Sequence, residues 1–225
     1  MRKVCAIIVA AGSGRRFGAP LPKQFCELGG RPVLMTTIDR MRRAVPEAEL
    51  LLVLSSDFVE EWGDKCRKHG FESPEVVIGG DTRWQSVKNA VERVAADTYV
   101  LVHDGARPFV MPQVTDALIG ALDSGRQGAV PVVDVVDSLR ETIDGFPGSR
   151  AVQRSRYKAV QTPQAFLSDY LHDAYSRPYR KEFTDDASVM ESAGYADIAL
   201  VEGHSDTFKI TLPRDLAVAG LCMDE

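Results

Sequence analysis

Six consecutive apolar residues, Val4 to Val9, run without a polar interruption into Ala10-Ala11-Gly12-Ser13-Gly14. A strand that is apolar at every position must be covered on both faces, as in a parallel sheet sandwiched between helices. In such sheets the loops leaving the carboxyl ends of the strands form the ligand crevice. Small residues there let backbone N–H groups approach phosphate oxygens, which makes an anion-binding concavity. One short segment therefore narrows the fold, and its glycines make either a phosphate cradle or a mere tight turn.

The alternation continues along the chain. Val33, Leu34, Thr37, Ile38 and Met41 form a stripe at helical spacing, and Leu50–Leu54 reads as a second buried strand. Asp57 is the expected N-cap of a helix running to about His69, where Gly70 stops it. Val76–Ile78, Tyr99–Val102 and Ala129–Val133 are further strands. Between them, Val87, Ala90, Val91 and Val94, then Val114, Ala117, Leu118, Ala121 and Leu122, mark amphipathic helices. This order predicts an α/β fold with a doubly wound, mostly parallel sheet, its strands joined by right-handed crossovers. The rhythm breaks at 134–158, where Asp144-Gly145-Phe146-Pro147-Gly148 separates two short polar β-like runs. That pattern predicts a projecting β-hairpin arm on a single domain spanning 1–225. A hairpin so thin favours a partner surface. The α/β pattern then resumes up to a helix opened by Pro213.

Composition removes several classes of function. The net charge of −5 argues against a nucleic-acid binder, which needs a basic excess to neutralise phosphates. No run approaches the roughly 18 apolar residues of a membrane span. The N-terminal apolar stretch ends in a glycine loop instead of a signal cleavage site, so a soluble, cytoplasmic protein is expected. Cys5, Cys26, Cys66 and Cys222 form no CxxC pair and have no histidine at ligand spacing, which suits reduced thiols and not a zinc site.

Gly12, Gly14 and Gly18 miss the dinucleotide spacing, and Ser55-Ser56 stand where a ribose-binding acid would be expected, which disfavours an NAD-dependent dehydrogenase. A P-loop fails as well, because Lys23 lacks the preceding glycine spacing and is followed by Gln24. Arg16 and Lys23 nevertheless bracket the loop, and Pro20-Leu21-Pro22 stiffens the approach to Lys23. Phosphoryl and nucleotidyl transfer need fixed cations where charge builds in the transition state, and these two residue types supply them. Asp104, just past the strand at 99–102, is placed either to hold Mg²⁺ directly or through water, or to act as a helix cap. Its neighbour His103 reads as a local hydrogen-bonding group. Gly79-Gly80-Asp81 before a helical pattern is equally a turn with an N-cap.

At this point a resemblance enters. AAGSGRRFG…LPKQ (10–24), GGDTRWQSV (79–87), VHDGARPFV (102–110), QTPQAF (161–166), TDDASVMESAG (184–194) and FKIT (208–211) resemble, in order, the 2-C-methyl-D-erythritol 4-phosphate cytidylyltransferases. The resemblance covers nearly the whole chain. It implies CTP and methylerythritol phosphate as substrates, Mg²⁺ as cofactor and a dimer whose arm serves the partner's site. It further implies that Ala10, Ala11, Gly12, Ser13, Gly14, Gly80, Asp81, Ser86, Asp104 and Gly105 hold CTP, with Asp104 also on the metal. Arg16, Lys23, Arg154 and Lys209 become the catalytic cations, with Lys209 following a strand that ends at Phe208. Arg107, Ser138, Arg154, Thr162, Thr184 and Lys209 would bind the acceptor. Gly105 stands where most members have Ala, and Ser138 where many have Thr. Asp206 is either a second metal carboxylate or a surface charge, and Arg156 and Lys158 read as solvated arm. Two rivals remain. Ribitol-5-phosphate cytidylyltransferase shares the loop and the TPQ block, although HDGARPF and TDDAS look more like the methylerythritol enzymes. A catalytically silent nucleotide-binding module would have lost charge at Arg16, Lys23 or Asp104, and all three are present.

Overall fold

The structure is a computed structural model that describes residues 2–12, 22–142, 145 and 147–223. β1 (Lys3–Val9) lies inside the sheet between two parallel neighbours. Its side chains alternate between two apolar layers. Val4, Ala6 and Ile8 join one, and Cys5 and Ile7 the other. Ile7 and Ile8 are fully buried, and each contributes roughly 1.5–3 kcal/mol on burial. That two-sided cover is why the strand is apolar at every position.

A small ribbon follows, β2 (Glu27–Leu28) with β3 (Arg31–Pro32), and leads into α1 (Val33–Ala44). The α1 stripe packs on one face of the sheet together with Trp62 of α2 (Val59–His69) and Val114, Leu118 and Leu122 of α4 (Pro112–Asp123). β4 (Glu49–Leu54) and β5 (Glu75–Ile78) extend the sheet beyond β1 in parallel. On the opposite face lie α3 (Arg83–Val91), α5 (Ser168–Ser176) and α6 (Asp186–Ser192).

The sheet order is β10 (Lys158–Val160), β7 (Gly128–Asp134), β11 (Gln164–Leu167), β6 (Thr98–Asp104), β1, β4 and β5, with β12 (Ile198–Glu202) also paired to β7. β6, β7 and β12 keep the parallel sense, whereas β10 and β11 run antiparallel. β11 is inserted between β6 and β7, so the predicted doubly wound sheet is mixed at this one place. β8 (Arg140–Thr142) and β9 (Ser149–Ala151) form a separate two-stranded ribbon in which every residue is exposed. α7 (Pro213–Leu221) opens on Pro213 as expected.

Three local expectations change. Asp57 does not cap α2: it lies in a 3₁₀ turn, Ser56–Phe58, which Ser55 caps by accepting the Asp57 N–H. A serine hydroxyl one residue before the turn takes the role because the chain tightens before the α-helix begins. Gly70 does stop α2, at φ +57°. The strand predicted at 99–102 extends to Asp104, because its parallel register with β1 continues through Val9. Phe208 ends no strand; residues 207–211 are held as irregular chain, with Ile210 N–H bonded to Ala106 O at 2.9 Å.

Candidate active site

The parallel strands β1, β4, β5 and β6 end on one edge of the sheet, and backbone bonds tie their exits together. Ala10 N–H reaches Val53 O at 2.8 Å, Gly79 N–H reaches Leu54 O at 2.7 Å, and Gly105 N–H reaches Val9 O at 2.9 Å. A cleft of about 660 Å³ opens above them. It brings together Ala10, Ala11, Gly12, Lys23, Gly80, Asp81, Ser86, Asp104, Gly105 and Lys209, all singled out from the sequence. Ser13, Gly14 and Arg16 lie outside the described residues. Small residues are sterically required here. A side chain at Gly105 would meet Ala10 Cβ at 3.0 Å, and one at Gly80 would run into Gln85.

Gln24 pins the start of the loop to its end. Its carboxamide donates to Ala10 O at 2.7 Å and to Gly12 O at 3.1 Å, and its side chain is buried. Lys23 donates to Ile210 O at 2.6 Å, which ties the loop to the segment that carries Lys209. Ser86, at the start of α3, accepts the Gly80 N–H at 3.1 Å and so shapes the turn beneath Asp81.

Asp104 is the most buried of the three carboxylates that line the cleft, and it is surrounded by cations. Lys209 Nζ donates to it at 2.9 Å, Arg107 Nε approaches at 3.4 Å and Arg83 Nε at 3.6 Å. Burial alone would raise the Asp104 pKa, but Lys209, Arg83 and Arg107 outweigh it and hold the carboxyl well below the usual range. Arg107 is fixed from behind by Thr207 O at 2.8 Å, and desolvation lowers its own pKa.

Behind Asp104 lies a fully buried histidine. His103 Nε2 is 2.9 Å from Arg107 O; a carbonyl can only accept, so this nitrogen carries the proton. Nδ1 is then bare and accepts the Thr162 hydroxyl at 3.1 Å. The same Thr162 oxygen accepts the Asp104 N–H at 3.1 Å. Burial drops the His103 pKa to about 4, so the ring stays neutral. Thr162 therefore spends its hydroxyl on positioning Asp104 and is not turned into the cleft.

Other predicted residues are spread out. Ser138, Arg154 and Thr184 are exposed and line no part of this chain's cleft. Arg154 donates to Val136 O within the arm region. Thr184 N–H bonds Ser188 Oγ at 3.1 Å, at the start of α6.

Residues that received no role from the sequence also matter. Arg83 forms a two-pronged ion pair with Asp186, at 2.9 and 2.7 Å. Asp186 in turn accepts the Tyr175 hydroxyl at 2.6 Å. Both lie inside matched blocks, but spacing cannot say that residues 103 positions apart share one ion pair. The only available signal was a charged residue at the start of each of two amphipathic helices.

A mixed α/β sheet with small residues and cations at its carboxyl edge suits an enzyme that handles the phosphates of a nucleotide, as the nucleotidyltransferases do. The family profile for 2-C-methyl-D-erythritol 4-phosphate cytidylyltransferase matches residues 4–225, and the chain belongs to that family. A protein of this name from Bacteroides fragilis is 42% identical over 220 residues, covering 95% of this chain and 96% of that one. One from Porphyromonas gingivalis is 43% identical over 224 residues, covering 99% and 98%. Among solved structures, the 4-diphosphocytidyl-2C-methyl-D-erythritol synthase of Anaerococcus prevotii superposes with a TM-score of 0.82 at 26% identity, covering 100% of this chain and 97% of that one. The Thermus thermophilus cytidylyltransferase superposes at 0.74 with 33% identity, covering 99% and 100%.

Proposed function

We propose that this chain transfers CMP from CTP to 2-C-methyl-D-erythritol 4-phosphate, giving 4-diphosphocytidyl-2-C-methyl-D-erythritol and pyrophosphate. The observation that carries the reading is Asp104 at the floor of the cleft under Lys209, Arg107 and Arg83, beside the small-residue loop. A phosphate oxygen of the acceptor attacks the α-phosphorus of CTP in line. The new O–P bond forms as the α–β bridge bond breaks, and pyrophosphate leaves with the electron pair. A phosphate dianion is nucleophilic at neutral pH, so the protein supplies no general base. What it supplies is position and fixed positive charge, worth several kcal/mol each.

In this reading the backbone at Ala10, Ala11 and Gly12, with Ser13 and Gly14, cradles the triphosphate. Arg16 and Lys23 stabilise the charge that builds on the reacting phosphate. Gly80, Asp81 and Ser86 read the cytosine edge and ribose. Lys209 and Arg107, with Ser138, Thr184 and Arg154, serve the acceptor, and Arg154 reaches the site of a second subunit through the 134–158 arm of a homodimer. Thr162 acts through Asp104. Asp57, Asp81 and Asp104 line the cleft, and among the described residues no three His, Cys, Asp or Glu side chains cluster to cage a metal ion. That donor set fits Mg²⁺ carried in on the triphosphate, which needs only one or two protein carboxylates. Asp104 would hold it, and its chemistry when bound is to neutralise charge on the phosphate oxygens. We place the enzyme in the cytoplasm; among the described residues no helix is long and apolar enough to cross a membrane.

The test is pyrophosphate release from CTP with methylerythritol phosphate, ribitol 5-phosphate or no acceptor. Release with the first alone is expected. Preference for ribitol phosphate, or no release with either, overturns the assignment. Lys23→Ala is expected to fold and to lose roughly a hundredfold in turnover, the scale of one transition-state donor. A variant within threefold of the wild type would remove Lys23 from the mechanism.

A further inference from the structure

Asp186 is fully buried and lines no part of the cleft. Two of its contacts are the paired nitrogens of Arg83 at 2.9 and 2.7 Å and the Tyr175 hydroxyl at 2.6 Å. Arg83 stands between two carboxylates. It gives its two terminal nitrogens to Asp186, and only Nε faces Asp104, at 3.6 Å. A planar guanidinium prefers a two-pronged carboxylate partner where one is in reach. Lys209, at 2.9 Å, is the nearest cation to Asp104 as a result. If Asp186 lost its charge, Arg83, a half-buried cation, would keep one of these two carboxylate partners, and that one is Asp104.

We propose that Asp186 is a positioning residue for the transfer reaction: it engages Arg83 so that Asp104 stays available to Lys209 and to the nucleotide. The proposal rests on the reading of Asp104 as a nucleotide-binding group. Its geometry is sequence-remote but rigid. Arg83 is the first residue of α3 and Asp186 the first of α6, and Tyr175 comes from α5, which packs between them with its ring stacked on Trp84 at 5.8 Å. The capping box of Asp185 and Ser188 fixes the start of α6, and Gln164 of β11 donates to Asp185 at 2.9 Å. Three helices and one strand thereby set the side on which Arg83 spends its hydrogen bonds.

The signature of this arrangement is rescue. Asp186→Asn frees Arg83 to compete for Asp104, so kcat/KM for CTP is expected to fall at least tenfold. Removing the competitor as well, in Arg83→Gln/Asp186→Asn, is expected to recover at least fivefold of that loss. Asp186→Glu, which keeps a carboxylate, is expected to stay within about threefold of the wild type. A merely structural ion pair predicts a double variant that regains the melting temperature lost by Asp186→Asn without regaining kcat/KM for CTP; that result, or a double variant no better than the single in kcat/KM, overturns the proposal. Should Asp186→Asn not be recovered folded by circular dichroism, the double variant is compared with the wild type. A CTP KM within about fivefold supports the proposal, and a loss as large as that of Asp104→Asn overturns it. Asp104→Asn also separates the two readings: if it keeps wild-type kinetics, the role of Asp104 fails independently of any rescue.

Discussion

The cleft floor and the arm both carry arginines and lysines beside carboxylates, yet they are built in opposite ways. Around Asp104 the charged groups come from a strand end, a helix start and two segments tethered by hydrogen bonds, and the carboxylate is largely buried. In the arm, Arg150 pairs with Glu141 and Lys158 with Asp134 on fully solvated chain. Buried pairs are strong only as a complete set, because removing one member strands the others in a medium of low dielectric. Exposed pairs are screened and contribute little. Charge that must be held still for chemistry is therefore placed on strand ends, whereas charge on the arm is free to be used by another surface.

The contrast can be broken most severely at Asp104. Asp104→Ala leaves Lys209, Arg107 and Arg83 facing one another, and is expected to cost about 3–5 kcal/mol of stability. Turnover should fall roughly a thousandfold. Chemical denaturation and steady-state kinetics on the same preparation check both, and an unchanged denaturation midpoint would mean the cations are not held by the carboxylate. The pH response of the floor is the next largest effect. His103 ionises at about 4 in the folded chain and near 6.5 when unfolded. The stability from keeping it neutral is thus complete above pH 6.5 and is lost as pH falls toward 4, by about 3 kcal/mol. A His103→Gln variant should show a correspondingly flatter stability profile over that window; equal slopes would place the acid sensitivity elsewhere.

The arm should behave otherwise. Arg154→Ala is expected to raise the acceptor KM about tenfold, roughly 1.4 kcal/mol, with the CTP KM and the melting temperature unmoved. A rise for CTP alone would assign Arg154 to the wrong substrate. Mixed dimers of Arg154→Ala with Lys23→Ala should recover activity if the arm serves the partner's cleft. Smallest of all, Glu141→Gln should leave the melting curve superimposable on that of the parent protein.

The central strands were legible because continuous apolar runs have one structural solution, cover on both faces, and Val4–Val9 shows it. That Ala10, Ala11 and Gly12 would line a cleft was legible because ligand crevices form at the carboxyl ends of parallel strands. What could not be read was pairing across the chain. β11 is only four residues long, too short for its direction to show in its pattern, and its antiparallel insertion depends on the path of the preceding arm. Thr162 carries a hydroxyl that suits a ligand as well as an imidazole, and only the fold reveals that His103 and the Asp104 amide claim it. Arg83 and Asp186 lay in recognised blocks without a role, since their pairing joins two helix starts far apart in sequence.

The position of β11 also sets the order in which the protein becomes competent during synthesis. β5, β4, β1 and β6 can pair once residue 104 has emerged, but β7 reaches them only through β11. Until Gln164–Leu167 leave the ribosome, the edge of β6 has no partner and Gly128–Asp134 can pair only with β10, a long-range closure of the kind that slows folding and exposes strand edges to aggregation. Asp186 and Lys209 come later still. The nascent chain thus acquires the strand-end loops of its cleft, with Asp104, Arg83 and Arg107, in its first half, and Asp186 and Lys209 in its last quarter.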